Sequence, residues 1–561
     1  MRASPILFLY STLVCGSGAL QEPGSQQPLA GQHADALIDA DQAIGMPSST
    51  EELEEYIQGV SKRWHAAGLA VAIISGNETW AKGFGHASLP SEPVTPHTLF
   101  VAGSTTKSFT AAGLSLLIDN SSDYSSVRWT TPISQLLRED FVLSDDWATA
   151  HITIEDALSH RTGYPRHDLA IGNVTRDMVR SLRHLPLSAE PRSRFQYNNM
   201  MYGAAGYLIS KLTGSSLGKF FHRYLWTPMG MNETFLNLDD PLLLEASGLS
   251  VADGYWWVNS TGEYVRQPTD ASALRADEGA GAVVSNVLDY VKYLRGMMAE
   301  AGPVSRAGHR ELKAPRTFVE LEREPFVGPV AYGLGWMSAV FEGERVYMHT
   351  GTVTPFVTFM LMVPSSKYGI VTMANSYSKV RELVTYRILY DLFGVEEGRR
   401  VDFEARFQRE EALARKAVET CSERIYPNIP DPPIPKSVPL ANHTGHYHHA
   451  GYGHVFVNLV CHDKYASPSV LSSPQPNKGE ACQLQLRRGP ENQAQFTAKL
   501  EHKTGDYWVA WAFIDEVPDE ILACVRTRFR VDAGGIVTHI GADLRLEGED
   551  GPLVWFERVG D

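Results

Sequence analysis

The sequence predicts an α+β fold, an α/β sandwich with a helical subdomain, followed by a C-terminal all-β barrel or sandwich. Three observations carry this. Strand patterns occur near residue 70 and return from Tyr332 onward, with long helical patterns between them. Strands at both ends of a helical stretch imply one antiparallel sheet carrying an insertion. From about residue 439 the pattern becomes short alternating strands, after the proline-rich "YPNIPDPPIPKSVPL". Proline stiffens that segment and excludes helix, so it marks a boundary.

The elements follow in order. "STEELEEYIQGVSKRWHAAG" reads as a helix, with Thr50 as cap and acidic residues at its positive end. "LAVAIIS" and "ETWAKGFGHA" read as strands joined at Gly76 and Asn77. The middle holds helices in "ITIEDALSHRTGY", capped by Thr153, in "YNNMMYGAAGYLISKLTG", ending at Gly214, and in "SNVLDYVKYLRGMMAE", capped by Ser285. Strands return in "YGLGWMSAV", "RVYMHTG", "FVTFMLMVP" and "YGIVTMAN", and the helix "KVRELVTYRILYDLFG" closes this part. A charged helix, "EARFQREEALARKAVETCSER", leads into the proline-rich linker.

The chain has 561 residues, ample for more than one domain, and a formal net charge of -15. Acidic balance without a basic run excludes nucleic acid and anionic membrane as main partners. Residues 1–19 look like a secretory signal: Arg2, an apolar run from Pro5 to Val14, and small residues near Ala19. That run is too short for a membrane span. Residues 20–47 form a polar leader. Glycosylation sequons stand at Asn77, Asn120, Asn173, Asn232, Asn259 and Asn442. Signal removal takes Cys15 with it and leaves Cys421, Cys461, Cys482 and Cys524. Four cysteines in an oxidising compartment favour two disulfides, with three pairings open. They should staple the β module to itself and to the linker helix. These features place the protein outside the cell or in the secretory lumen.

"VAGSTTKSFTAAG" sets Ser104 and Lys107 three apart at the mouth of an apolar helix. That spacing puts both on one face. Its bland reading is a helix cap and a surface lysine. "FQYNNMMYG" sets Tyr197 two before Asn199 at another helix start, and "HTGTVTPF" places His349, Thr350 and Gly351 after a strand. Tyr197 alone reads first as a buried aromatic with its hydroxyl satisfied, and His349 equally as an edge-strand residue before a tight turn. "GSSLG" at 214–218 mimics a nucleophile elbow, but a helix precedes it where a strand is required. The histidines of "HTGHYHHAGYGH" fit strands better than a metal site. No cofactor or metal motif is present.

The joint order Ser-x-x-Lys, Tyr-x-Asn, His-Thr-Gly resembles the serine β-lactamase and penicillin-binding protein superfamily, especially its class C β-lactamase-related esterase and D-aminopeptidase-like branch. "SHRTG" and "YGLGW" resemble that branch's surroundings, over about residues 50–396. The resemblance implies a β-lactamase/transpeptidase-like domain at 48–396, a linker at 397–438 and a lipocalin-like module at 439–561, as in a secreted fungal-type member. It implies that Lys107 and Tyr197 activate Ser104 for attack, forming an acyl-enzyme. The backbone amides of Ser104 and Thr352 would form the oxyanion hole, with Gly351 allowing close approach and Asn199 bonding into the Lys107 network. Two departures stand out. His349 replaces the lysine of lactamase and transpeptidase members, which shifts the expected substrates towards esters, amides or small peptides and gives His349 and Thr350 a substrate-orienting role. Arg192 stands where the family usually has glycine. Trp256 and Trp257 of "GYWWVNSTGEY", beside Tyr255, read as an aromatic wall or as ordinary core. The expected function is a serine hydrolase of small-molecule or short-peptide substrates. Acyl transfer from the same intermediate and a non-catalytic binding scaffold are the alternatives. The β module would shape the pocket mouth, stabilise the enzyme or mediate self-association, such as a homodimer.

Overall fold

The computed structural model describes residues 50–120, 122–268, 271–461, 482–514, 517–544 and 552–560. The signal and leader readings, and Cys15, lie outside them. The first large unit is built on a nine-stranded antiparallel sheet. Two adjacent interior strands come from opposite ends of that unit: Gly68–Ser75 pairs with Tyr368–Ala374, Leu69 opposite Ala374 and Ser75 opposite Tyr368. On one side follow Glu78–Ser88 and Glu92–Pro93. On the other lie Phe356–Val363, Glu344–Val353, Met337–Phe341, Val330–Tyr332 and Thr317–Glu320. The sheet thus closes across the helical insertion, as the pattern predicts.

Period-two alternation divides the strand "GLAVAIIS" between two cores. Leu69, Val71 and Ile73 meet Leu53, Ile57 and Val60 of helix Thr50–Arg63 and Val384 and Ile388 of helix Val380–Leu392. Ala70, Ala72 and Ile74 face the helical subdomain with Phe109, Tyr290 and Leu294. Both faces are covered, so the central strands are apolar throughout rather than alternating.

Three local readings change. Thr50 is the first helical residue, not the cap. Ser285 ends strand Val283–Ser285, where its hydroxyl meets Thr234 Oγ1 at 2.7 Å, and Asn286 caps helix Val287–Ala299 instead. "YGLGW" is not one strand: Gly333 to Trp336 form the turn between Val330–Tyr332 and Met337–Phe341. Thr153 does cap its helix, in a capping box with Asp156. Gly214 ends helix Asn199–Thr213 and Ser216 caps the next, so "GSSLG" is helix punctuation.

The C-terminal unit is a closed eight-stranded barrel. Its strands, from Gly445–His449 to Val554–Arg558, pair in sequence order, and Tyr447 opposite Arg558 closes the ring. Cys461 pairs with Cys482 inside the barrel, and Cys421 of the linker helix pairs with Cys524. His446, His448 and His454 are strand residues of its first hairpin. Among the described residues no group of three or more His, Cys, Asp or Glu side chains is arranged to hold a metal. No described helix is long and apolar enough to cross a membrane.

Candidate active site

Ser104 sits in the short turn Gly103–Thr105 that runs into helix Thr106–Asp119. Lys107 follows within the first helical turn. It is fully buried, and its Nζ lies 3.1 Å from Ser104 Oγ. Nζ has two other partners: it donates to Asn199 Oδ1 at 2.7 Å and to Ala280 O at 2.9 Å. Both are oxygens that only accept here. A neutral amine has two N–H bonds and one lone pair. In that state the two carbonyls take the N–H bonds and the lone pair faces the Ser104 hydroxyl, whereas an ammonium group would donate to all three oxygens. Burial pushes the Lys107 amine well below its ordinary range, and the positive charge of Arg166 adds to this against Asp277 and Asp168. Burial and Arg166 thus both favour the neutral amine, although the three oxygens would equally accept from an ammonium group.

Tyr197 completes the trio. Its ring lies 4.8 Å from Lys107 Nζ, and its hydroxyl is near enough to Ser104 for the two to interact. Burial raises the phenol's pKa, while Arg166 and the Ser104 bond pull it back. The phenol is neutral at pH 7. His160 holds the Tyr197 segment on both sides: its carbonyl accepts from Gln196 N at 2.7 Å and its Nδ1 from Asn198 N at 3.1 Å. Its ring lies 4.3 Å from that of Tyr197.

Asn199 joins Lys107 to a second layer. Its Nδ2 donates to Asp168 Oδ1 at 2.9 Å, and Asp168 is also paired with Arg166 Nε. The guanidinium of Arg166 stands 5.0 Å from the Tyr197 ring. One loop thus brings a positive and a negative charge to the trio.

The oxyanion side is a backbone meeting. Pairing between Glu344–Val353 and Met337–Phe341 ends at Met348, which frees the edge from His349 onward. The turn at Ser104 packs there. A Cβ at Gly351 would lie 2.0 Å from Ala102 O and 3.2 Å from Ser104 N. Only glycine permits this approach. Likewise, a Cβ at Gly103 would lie 2.6 Å from Thr352 N. The Ser104 and Thr352 segments are therefore in direct backbone contact. Arg381 braces the strand, its Nη1 bonding to Gly351 O and, at 2.9 Å, to Thr352 Oγ1.

His349 is buried. Its Nδ1 donates to Thr350 O at 2.7 Å and its Nε2 accepts from Tyr332 at 2.8 Å. Burial lowers its pKa to about 3, so it is neutral in the working range. It acts on the strand and Tyr332 and presents no charge to the cleft. The two tryptophans separate. Trp256 is buried against Tyr377 and bonds to Gln267, whereas Trp257 stacks on His65 at 3.9 Å on the other side of the hairpin. Trp257 belongs to packing there, not to one wall with Trp256.

Arg192 has φ +69, a backbone state that glycine adopts freely. Its guanidinium compensates by pairing with the buried Asp156 at 2.7 Å. Asp156 also pairs with Arg161, so the loop before Tyr197 is pinned by charge. The motif pattern does not point to Arg166, Asp168, Asp277, Arg381 or the role of His160. A charged triplet, "RHD", is the one visible signal.

Residues 53–392, more than half of the chain, match the family model described as Beta-lactamase. An unguisins hydrolase of Aspergillus campestris is 40% identical over 413 residues, covering 72% of this chain and 76% of its own. An unguisins hydrolase of Aspergillus violaceofuscus is 34% identical over 540 residues, covering 91% and 90%. The octameric penicillin-binding protein homologue from Pyrococcus abyssi is similar in fold, with a TM-score of 0.56 at 19% identity, over 90% of this chain and 99% of its own.

Proposed function

The chain belongs to the Beta-lactamase family, and from that premise we propose a secreted serine hydrolase that cleaves an ester, amide or small peptide bond through an acyl-enzyme on Ser104. The observation that carries the reading is the buried Lys107 Nζ 3.1 Å from Ser104 Oγ, with Asn199 Oδ1 and Ala280 O placed to take its N–H bonds once it is neutral. In acylation, Ser104 Oγ attacks the carbonyl carbon as its proton passes to Lys107. The carbonyl oxygen becomes an oxyanion, held by the amides of Ser104 and Thr352. Tyr197 protonates the leaving group as the carbon–heteroatom bond breaks, and Lys107 restores the Tyr197 proton. Water then attacks the ester in reverse order.

The two Aspergillus relatives make unguisins the first substrates to try, at 40% and 34% identity. The same reading takes 48–396 as the catalytic unit, 397–438 as linker and 439–561 as barrel. Secretion is supported by the two disulfides and by the exposure of Asn77, Asn120, Asn232, Asn259 and Asn442. Asn173 is the exception: its Nδ2 donates to Pro490 O at 3.0 Å, so a glycan there would displace the barrel.

A fluorophosphonate probe should add covalent mass to Ser104 and none to S104A. K107A and Y197F should lower turnover at least about 100-fold with the fold intact. Wild-type rates in either would remove its assigned role. No label on Ser104, with no turnover of unguisins or of ester and amide panels, favours a binding protein. Added alcohols and amines in the product assay distinguish hydrolysis from acyl transfer.

A further inference from the structure

The barrel grips the catalytic unit at the loop that carries Arg166 and Asp168. Arg488 Nη2 donates to Leu169 O at 2.6 Å, and Gln493 N donates to Ile171 O at 3.0 Å. Gly172 and Asn492 form a β-bridge. The Tyr452 hydroxyl lies 2.6 Å from His167 Nδ1. From the same barrel segment the Gln493 side chain reaches further in, and its Nε2 donates to Asp277 Oδ1 at 3.1 Å across 216 residues of sequence. Both side chains are buried. Among the described residues Asp277 Oδ2 has no hydrogen-bond partner, and Gln493 is the side chain that anchors this carboxyl group.

Asp277 connects this anchor to the catalytic amine. It stands just before the short helix Glu278–Gly281, and its carbonyl accepts from Ala280 N at 2.7 Å. The Ala280 carbonyl in turn accepts from Lys107 Nζ. Asp277 therefore fixes the turn that supplies one of the three Lys107 partners, and it brings a negative charge near that amine.

We propose that the barrel is a working part of the catalytic site, with Gln493 as a positioning residue that holds Asp277, and through it Ala280, against Lys107. This rests on the Ser104 acyl-enzyme reading. The charged and titratable groups around Lys107 are Arg166 and Asp168 from the gripped loop, Tyr197 and Tyr202, His160, His349 and Asp277 itself. Glu278 also faces Asp277. Burial raises the Asp277 carboxyl to about 7, and the Gln493 bond opposes this rise. Loss of that bond favours the neutral acid. A neutral Asp277 no longer supports positive charge on Lys107, so the amine loses its proton more readily.

Two readouts test this in the full-length protein. The first is the pH dependence of fluorophosphonate labelling at Ser104. The second is the ¹⁵N titration of Lys107 Nζ by NMR, which needs no catalysis. In Q493A the acid midpoint of both should move down by about half a unit. D277N should move it down at least as far, and Q493A/D277N should move it no further than D277N. Unchanged or upward midpoints, or additive shifts, would overturn the proposal, as would a uniform fall in rate without a shift, because that is what loosened packing alone produces. If wild-type Ser104 never labels, the proposed reaction falls, and the Lys107 titration still decides the role of Gln493.

Discussion

At the scale of single residues, the site replaces one positive charge by another. Family members with lysine at the third motif place an ammonium group there, whereas His349 is buried and neutral. The cation near the trio is Arg166, which reaches it from a separate loop. Its charge lowers the proton affinity of Lys107, and its partner Asp168 acts in the opposite sense. R166M removes the cation and leaves Asp168 uncompensated, so both changes favour the charged amine. The acid midpoint of Ser104 labelling should therefore rise, by about one unit. An unchanged or lower midpoint would show that Arg166 does not tune the amine. Arg192 shows a different substitution logic. It takes up a positive φ and anchors itself on Asp156, so the expected glycine is replaced by a strained but paired residue.

At the scale of elements, legibility tracks locality. Ser104 and Lys107 can be paired from sequence because helical spacing alone joins them. The sheet is readable because its strands carry their own period-two signal. Asp168 and Asp277 are not, since nothing local marks a loop carboxylate that a distant amide or glutamine will hold. The expected Ser285 cap is wrong because two adjacent polar residues compete and strand pairing takes the serine. Barrel closure is equally hidden: alternation predicts strands but not which edge meets which. The linker helix Cys421–Ile425 is half legible, as its cysteine can be assigned to a bridge without a partner. It is tied to the barrel by Cys421–Cys524 and by the Tyr426 hydroxyl, whose one proton is shared between Trp508 O and Thr527 O, each at 3.1 Å. The bridge closes a loop with a sequence separation of 103 residues. Long closed loops restrict the unfolded chain most, so C421S/C524S should lose about 2–4 kcal/mol in chemical unfolding followed by barrel tryptophan fluorescence. An unchanged midpoint would mean that Tyr426 and packing suffice.

At the scale of the whole molecule, the two units share a buried polar seam, and its titration links their stability to pH. His167 is buried there, with Nε2 donating to Pro186 O at 2.9 Å and Nδ1 accepting from Tyr452. Burial lowers its pKa from 6.5 to about 4. The unfolded chain therefore binds a proton between those values that the folded chain does not, and stability falls as pH drops through that window. His449 shifts the same way, also to about 4. Asp277 and Glu278 work in the opposite direction: both are raised to about 7, so the folded chain gains protons first as pH falls. The opposing groups partly cancel, and the total acid sensitivity of the wild type is a poor measure of any one of them. A difference measurement isolates the histidine. H167Q keeps an amide that can donate to Pro186 O and accept from Tyr452, but it does not titrate. Its stability relative to wild type should improve by about 2 kcal/mol between pH 7 and pH 5, read from urea unfolding at each pH. A constant difference across that range would mean that His167 takes up its proton equally in the folded and unfolded chains, so that the seam does not hold a depressed ring; a fall in place of the rise would mean a folded-state cation there.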